Sequence, residues 1–261
     1  MAQARPLAKD RQFVAALARG IQVLQCFSAA RPELSGSEIA KLTGIPQPTV
    51  WRLCHTLLET GMLIVVAGER YRPGLPVLRL GYSAISGMSL VELARPHMQE
   101  IATRYGAACG LATRDGNRMV FVERCEGNNQ LLMNLRVGSA VPLATSALGW
   151  AYVAGLPTAQ RRQLLDELRT QDRATMTEVS RAMNKALADY DRLGYVLNEG
   201  VFHKAYTTVA VPVVAADGSI PYTLNCGSAA ISISVAEHRN VIAPKLIALA
   251  RMLENALEIR S

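Results

Sequence analysis

The side chains with the most specific chemistry lie near the N-terminus, in a segment that is predicted to form a helix from Pro48. Val50, Leu53 and Leu57 recur at helical spacing and mark the buried face of this helix. The polar residues off that face, with the residue just before the helix, are Gln47, Thr49, Trp51, Arg52, His55 and Thr56. Glutamine pairs with adenine and arginine with guanine through two hydrogen bonds each, and a helix N-terminus attracts phosphate. This pattern predicts a surface that reads DNA.

Two further cations, Arg70 and Arg72, lie on a predicted hairpin behind this helix, from which they would reach the DNA backbone or the minor groove. The competing interpretation is that all these side chains are solvated surface residues, as charged helix faces usually are. Arg52 would then brace the fold through a salt bridge, and Trp51 would pack partly against the first helix.

A second group of residues has the chemistry to hold a small acid. Ser146 and Ala147 are predicted to begin a helix after the extended segment VPLAT, and the free N–H groups at that end favour a carboxylate. His203, in a predicted loop, would donate a hydrogen bond to the acid. The alternatives are a helix cap without a ligand for Ser146 and a solvated loop histidine for His203.

Motifs of enzyme active sites are absent from the sequence, which has no G-x-S-x-G, no H-E-x-x-H, no P-loop and no G-x-G-x-x-G. The four histidines show no metal-ligand spacing. We therefore expect no catalytic residue, no metal and no cofactor. An esterase built on Ser146 and His203 is the one enzymatic alternative.

The five cysteines are odd in number and lack C-x-x-C spacing, which argues against a disulfide framework or a zinc site. We expect reduced, buried thiols. Cys109, Cys125 and Cys226 nevertheless fall on predicted strands of one sheet. A redox-sensing regulator that uses them is therefore an alternative function, although burial favours inert thiols.

Bulk composition indicates a globular protein whose partner carries phosphates. Half of the 261 residues are hydrophobic, and no run of eighteen apolar residues or secretory signal occurs, so a cytoplasmic location is expected. The net charge is +7, and residues 1–77 hold nine lysines and arginines against five acidic residues. This shorter part is the more basic per residue, which suits nucleic acid.

The elements that would position the polar helix follow one another at suitable lengths. In chain order they are a helix over 13–27, a capping box at Ser35–Glu38, a short helix to Thr43, a turn at 44–47, the helix from Pro48 and strands at 63–66 and 70–72. This order is that of a winged helix-turn-helix.

The rest of the chain mixes helices with strands, which predicts an α+β domain with helices on one sheet face and a pocket on the other. A capping box at Ser89–Glu92 is predicted to open the first long helix. The predicted strands cover 109–114, 119–124, 131–137, 207–214 and 220–226, and the predicted helices cover 76–87, 89–105, 146–154, 158–169, 178–193 and 236–258.

Together these segments resemble the isocitrate-lyase-regulator (IclR) family of bacterial transcription factors over nearly the whole chain. The resemblance is carried by LARGIQVLQCF, LSGSEIAKLTGIPQPTVWRLCHTLLETGML, YRPGLPVLRLG, RDGNRMVFVERCEG, LRVGSAVPLATSALGWA, LGYVLNEG and VAVPVVAADGSIPYTLNCGS. It implies a winged helix-turn-helix domain at 1–75, a linker helix at 76–89 and a GAF-like effector-binding domain at 90–261. It also implies a homodimer or homotetramer that binds a palindromic operator in double-stranded DNA and responds to a small organic acid. The opening DRQFVAALARGIQVL looks most like regulators of aromatic-acid catabolism.

By position in the family pattern, the residues that line the effector pocket are Leu132, Leu143, Thr145, Ser146, Ala147, Leu148, Glu199, Thr208, Asn225 and Gly227, with His203 nearby. The leucines equally suit an ordinary core, and Glu199 is an awkward neighbour for an anion.

The chain departs from the family pattern at Ala140, Ala144 and Trp150, where a basic residue, a histidine and a lysine often occur. It also departs at 225–228, which read Asn-Cys-Gly-Ser where a Ser-Gly-Pro-like turn is usual. The effector therefore does not follow from the resemblance. The resulting prediction is a transcriptional regulator modulated by an organic acid, and the alternative is a ligand-independent DNA-binding protein.

Overall fold

The computed structural model describes residues 12–86, 88–128 and 133–258, and the chain divides into two compact units, Met1–Gly87 and Met88–Ser261. The helix that the sequence predicts as a linker is counted with the first unit. Among the described residues, no helix is both long enough and apolar enough to cross a membrane.

The first unit has the element order of a winged helix-turn-helix, as predicted. Its elements are α1 (Ala15–Leu24), α2 (Gly36–Thr43), α3 (Gln47–Glu59), β1 (Leu63–Val66), β2 (Arg70–Pro73) and α4 (Leu75–Ser86). β1 and β2 pair antiparallel and form the wing. Val23, Ile39 and Val50, one from each of the first three helices, are fully buried in one small core. This core holds one face of α3 and leaves the opposite face outward.

Local sequence signals set the ends of α2 and the start of α3. Ser35 accepts a hydrogen bond from the Glu38 N–H, and the Glu38 carboxylate accepts one from the Ser35 N–H, so the predicted capping box is confirmed. Gly44 ends α2 with φ at 70°, a conformation that favours glycine. Pro48 lies in the first turn of α3, where its missing N–H forfeits no hydrogen bond.

The second unit contains a six-stranded sheet over its described residues. Its strands are β3 (Ala108–Asp115), β4 (Arg118–Glu126), β5 (Ala140–Pro142), β6 (Val196–Glu199), β7 (Tyr206–Val213) and β8 (Tyr222–Ala229). All neighbours are antiparallel, in the order β5-β4-β3-β8-β7-β6. Its helices are α5 (Ser89–Tyr105), α6 (Ala147–Gly155), α7 (Thr158–Gln171), α8 (Arg173–Leu193), α9 (Val235–Glu237) and α10 (Ala243–Glu258).

Helices cover both faces of this sheet. On one face, α6 lies across β7 and β8, and α8 packs against α6 and β6 around the buried side chains of Trp150 and Met183. On the other face, α5 packs against β3 and β4 and α10 against β7, and there Cys125 Sγ lies 3.7 Å from the Arg95 carbonyl. Because strand residues alternate between faces, every second residue of β3, β4 and β8 points toward α6.

Three predicted features of the second unit are wrong. Helices cover both faces of the sheet, whereas the sequence predicted helices on one face and a pocket on the other. The predicted strand over 131–137 is not a strand in its described part, since the chain turns at Gly138, where φ is 83°, and the edge strand is β5 instead. Ser89 does not cap α5, because the N-cap is Met88 and makes no side-chain hydrogen bond. The sequence also missed the four residues of β6, which are too few to show a periodic pattern.

Two helices differ from their predicted extents. α8 begins at Arg173, earlier than predicted, because Asp172 accepts a hydrogen bond from the Thr175 N–H and caps it. The predicted terminal helix is interrupted by a π-helical turn, His238–Ile242, between α9 and α10.

Candidate functional site

The outward face of α3 carries most of the residues predicted to read DNA. Val50 and Cys54 are fully buried, while the polar set Gln47, Trp51, Arg52, His55 and Thr56 is exposed and Thr49 is half-buried. Trp51 is 62% exposed, and its ring centroid lies 5.8 Å from that of His55. An indole left this far in solvent stands out, because large aromatic side chains are on average highly buried.

The alternative roles for Trp51 and Arg52 gain little support. The exposure of Trp51 shows that most of its ring does not pack against α1. Arg52 is exposed, and in the described part of the chain its side chain takes part in no ion pair. Both side chains are therefore largely open to solvent.

The two arginines of the wing differ in their surroundings. Arg70 donates to the Glu33 carbonyl at 2.9 Å and pairs with Glu38 at 2.8 Å, so its guanidinium ties the wing to the start of α2. Arg72 is exposed. Of the two predicted contacts with DNA, the structure engages Arg70 inside the fold and leaves Arg72 on the surface.

A cavity of about 20 Å³ lies in the second unit, at the N-terminus of α6. Its lining residues are Ala108, Phe121, Arg124, Met133, Leu135, Val141, Ser146, Ala147, Leu148, Phe202, Tyr206, Thr208 and Asn225. Ser146 caps α6 by accepting a hydrogen bond from the Gly149 N–H at 3.1 Å. The first-turn N–H groups of Ala147 and Leu148 have no acceptor within the helix and give this end of the cavity a positive potential.

Arg124 of β4 is the charged group of this cavity, and its side chain is only 4% exposed. Its Nε lies 3.2 Å from Glu126 Oε1, and the same oxygen lies 2.7 Å from Arg136 Nη1. Arg124 Nη2 is buried and has no hydrogen-bond partner. The guanidinium carbon lies 5.2 Å from the centroid of the Phe121 ring. One carboxylate therefore serves two guanidinium groups, which leaves one positive charge unneutralised.

Asn225 of β8 contributes the second unpaired group. Its Oδ1 is buried and accepts no hydrogen bond. Gly110 of β3 lies between this residue and Arg124, and a Cβ atom at Gly110 would come within 2.6 Å of Asn225 Oδ1. The glycine thus leaves room for the Asn225 amide on the cavity face.

Tyr206 of β7 lines the same cavity as a neutral phenol. Burial raises the pKa of Tyr206 to about 12, and the nearby Arg124 guanidinium offsets only part of this rise. At neutral pH the cavity therefore holds a cation, an amide and a phenol, and Arg124 is the charged group among its lining residues.

The predicted effector-binding residues divide into four groups. Ser146, Ala147, Leu148, Thr208 and Asn225 line the cavity. Gly227 lies directly beneath it, since a Cβ there would meet Tyr206 and Thr208. The others are not among the lining residues: Leu143 is fully buried in the core, the Thr145 carbonyl accepts from Asn198 Nδ2, Glu199 pairs with Arg239 at 3.1 Å and His203 is exposed. Leu132 lies outside the described residues.

Sequence reasoning missed the cation and the aromatic walls, namely Arg124, Phe121, Phe202 and Tyr206. A signal for Arg124 was present, because it is the one cation in the otherwise apolar and acidic run Met119–Glu126. A charge inside such a strand needs a partner, which marks the position for attention.

The side chains of the esterase alternative are not assembled into a catalytic group. Ser146 is occupied as a helix cap, and the exposed His203 accepts a weak hydrogen bond from the Ala205 N–H through Nδ1. Over the residues that the structure describes, no cluster of three metal-binding side chains occurs.

The three cysteines of the sheet are cross-strand neighbours on the face away from the cavity. Cys109 is in register with Cys125 on one side and with Cys226 on the other, and all three are buried. Hydrogen bonding to Cys226 and burial raise the pKa of Cys109 well above its ordinary value, and burial raises the pKa of Cys125 to about 11. Because the thiolate is the reactive form, this environment disfavours oxidation.

Both units match models of one protein family when the chain is compared with known proteins. Residues 16–64 match the model described as the IclR helix-turn-helix domain, and residues 82–255 match that of the bacterial transcriptional regulator IclR C-terminal domain. The chain is 32% identical over 237 residues to the HTH-type transcriptional regulator TsaQ1/TsaQ2 of Comamonas testosteroni, covering 89% of this chain and 84% of the relative.

Two solved structures share the fold. An IclR-family regulator from Brucella abortus superposes with a TM-score of 0.84 at 34% identity, covering 97% of this chain and 96% of that one. An IclR homologue from Microbacterium hydrocarbonoxydans, complexed with 4-hydroxybenzoate, superposes with a TM-score of 0.75 at 24% identity, covering 94% and 100%. At 24% identity, the similarity to this second structure shows a shared fold.

Proposed function

Since the chain belongs to the IclR family of bacterial transcriptional regulators, we propose that it binds a palindromic operator through its first unit and a small organic acid through its second. Binding of the acid would change the affinity for the operator. The observation that carries the ligand proposal is the buried Arg124 guanidinium with an unpaired Nη2.

The first unit would dock as winged helix-turn-helix domains do, with α3 in the major groove. Its outward side chains then meet base edges, with Gln47 and Arg52 offering bidentate hydrogen bonds and Trp51 an apolar contact. Arg72 would reach a phosphate or the minor groove from the wing. A protein that regulates transcription through the bacterial chromosome would act in the cytoplasm.

The second unit would hold the acid between Arg124 and the N-terminus of α6. A buried cation without a full counterion is costly, so an anionic ligand that completes its coordination is bound with a large electrostatic gain. Phe121, Leu148 and Phe202 give the cavity apolar and aromatic walls. These walls suit the body of an aromatic acid, the class of ligand held by the homologue from Microbacterium hydrocarbonoxydans.

Ligand binding would have to move part of the cavity wall, because about 20 Å³ holds little more than one water molecule. Met133, Leu135 and Phe202 lie on segments without regular structure. Their side chains are the ones that would move to enlarge the cavity. On the opposite face of the sheet, α5 packs against β4, the strand of Arg124, and the chain enters α5 directly after α4. A ligand changes operator affinity only if it favours one of two such arrangements.

Self-association is part of this proposal, since a palindrome calls for a twofold partner. Apolar side chains stand exposed on two helices of the first unit. They are Leu17 and Ile21 on α1, and Leu75, Leu78 and Tyr82 on α4. Exposed apolar side chains in such numbers are typical of a contact surface.

A thermal-shift screen of the purified full chain tests the ligand proposal. Benzoate, hydroxybenzoates and short aliphatic acids form the panel, with operator affinity measured in parallel. A saturable rise in melting temperature with one class, together with a changed operator affinity, is expected. No rise with any acid in a well-folded sample, alongside tight operator binding, would favour a ligand-independent DNA-binding protein.

A further inference from the structure

We propose that Trp51 of α3 determines part of the operator specificity, because its indole recognises the 5-methyl group of a thymine in the major groove. This inference rests on the proposed function, since it names the base group that the same helix reads. It depends on the exposure of one indole ring, on the polar side chains around it and on the charge of the groove that it lines.

Trp51 is a large apolar side chain that the fold leaves open to water. It is 62% exposed, although Val50 and Cys54 of the same helix are fully buried in the core of the first unit. The His55 ring lies 5.8 Å from the indole between centroids and at 41° to it, a usual arrangement for an aromatic pair. His55 is itself exposed, so this contact orients the indole without covering it. Burial of the remaining indole surface against a partner would therefore favour binding.

The neighbours of Trp51 on the helix surface are polar. Gln47 and His55 lie one turn before it and one turn after it, Arg52 follows it, and all three are exposed. The exposed apolar side chains of α1 and α4, by contrast, recur at several positions of each helix. A surface that binds another protein usually has a contiguous apolar patch, whereas Trp51 is a single apolar group among groups that form hydrogen bonds. The edges of base pairs present this same mixture.

The groove along this face of α3 has a charge that suits nucleic acid. Trp51 lines it together with Arg52 of the same helix and Arg19 of α1. Both arginines are exposed, and no acidic side chain is among the described residues that line the groove. A polyanion is therefore the partner that this groove favours, and Trp51 would meet it beside two cations.

Thymine is the base whose major-groove edge matches an indole. Its 5-methyl group is the apolar feature of that groove, where the other exposed groups are hydrogen-bond donors and acceptors. An indole has one donor, Nε1, so its carbon face would cover the acceptors of a guanine without replacing their water. Contact with a methyl group leaves no polar atom unsatisfied and removes apolar surface of both partners from water.

Fluorescence anisotropy with the full chain and chemically altered operators tests the inference. The operator is first selected from random duplexes. Each thymine is then replaced in turn, symmetrically in both half-sites, by deoxyuridine, which lacks only the methyl group. We expect one such replacement to weaken binding at least tenfold, because the loss of one buried methyl group costs about fourfold in affinity per half-site. At the same position 5-methylcytosine should bind more tightly than cytosine by a similar factor, because it restores the methyl group on another base pair.

Variants assign the methyl contact to Trp51. In Trp51→Ala, deoxyuridine at the identified position should change the affinity by less than twofold, and the melting temperature should equal that of the wild type because the ring is mostly exposed. Trp51→Phe should keep at least a threefold preference for thymine, since a phenyl ring also contacts the methyl group. Ile231→Ala removes an exposed apolar side chain of the second unit and should change neither the affinity nor the preference. If Trp51→Ala does not fold, Trp51→Asn repeats the test.

The inference and the proposed function fail differently. Tight binding of the selected operator that changes less than twofold with deoxyuridine at every thymine would overturn the role of Trp51 and leave operator binding intact. A thymine preference that persists at the same position in Trp51→Ala or Trp51→Asn would also overturn it, because another side chain or the shape of the DNA would then be responsible. Failure to select any duplex that binds more tightly than random DNA would remove operator binding itself, and with it this inference.

Discussion

Arg124 of β4 and Asn225 of β8 are both in register with Gly110 of β3, one on each side of it and on the same face of the sheet. They are 101 residues apart in the sequence, and only antiparallel pairing across β3 brings them together. Each ends in a buried polar atom without a hydrogen-bond partner. The cavity between them is the feature on which the ligand proposal rests.

Gly110→Ala should block this cavity. The added Cβ would lie 2.3 Å from Phe121 Cε1 and 2.6 Å from Asn225 Oδ1, so the ring or the amide must move. We expect acid binding to be lost and the free energy of unfolding to fall by about 1–3 kcal/mol, as is usual for overpacking. Calorimetry and urea unfolding measure the two effects. Gly81→Ala is the control, because its Cβ meets no atom within 4 Å. Unchanged acid binding in Gly110→Ala would show that the ligand lies elsewhere.

Arg52→Ala should weaken operator binding by about 1–3 kcal/mol if Arg52 contacts a base. The exposure of this side chain on α3 implies that the variant folds normally. Fluorescence anisotropy with an operator selected from random duplexes gives the affinity, and Arg162→Ala, exposed in the second unit, is the matched control. An intact variant that binds as the wild type does would remove Arg52 from the reading surface.

Substitution of the two wing arginines should affect different properties, DNA binding for Arg72 and stability for Arg70. Arg72→Ala should leave the melting temperature unchanged and reduce the slope of log affinity against log salt by about one, as expected for a lost phosphate contact. Arg70→Ala should lower the melting temperature, because it removes the contacts with Glu33 and Glu38. A normal salt slope in Arg72→Ala would mean that the wing does not touch phosphate.

His238 should make the second unit less stable in mild acid. Burial lowers the pKa of His238 below its ordinary value of 6.5, although the Ser234 carbonyl, Glu237 and Glu199 partly oppose this. The unfolded chain then binds the proton more readily, so the stability contributed by neutral His238 is complete above pH 6.5 and is lost as the pH falls through the folded-state value. Urea unfolding between pH 7 and 5 should show a shallower decline in His238→Gln than in the wild type. A glutamine substitution of the exposed His97 is the control. An equal decline of the free energy of unfolding with falling pH in wild type and His238→Gln would contradict the prediction.

The thiols of the sheet should be unreactive in the folded protein. Cys109, Cys125 and Cys226 are buried, and the pKa of Cys125 is about 11. Iodoacetamide at pH 7.5 should label these residues only after denaturation, and peroxide should leave operator affinity unchanged. Rapid labelling of any of the three in the native protein, with a change in DNA binding, would restore the redox-sensing alternative.

The winged helix-turn-helix was predictable because its signals are local. The capping box at Ser35, the glycine at 44 and the helical spacing of Val50, Leu53 and Leu57 each act within a few residues of the chain. The face of α3 that points outward follows from the face that must be buried. The sequence could not show which of the outward cations makes an ion pair within the fold, as Arg70 does with Glu38.

The cavity was predictable only in part. Ser146 and Asn225 were assigned from the family pattern, and the structure brings both to the cavity, but Arg124 and the aromatic walls were not found. Glu199 and His203 were assigned to the pocket, whereas the structure pairs Glu199 with Arg239 and leaves His203 exposed.

Local patterns determined the helices and most strands, because hydrogen bonding and burial within one element follow from neighbouring residues. The register of β4, β3 and β8 was decided only by tertiary packing, because a shift of one residue would turn Arg124 or Asn225 to the opposite face of the sheet.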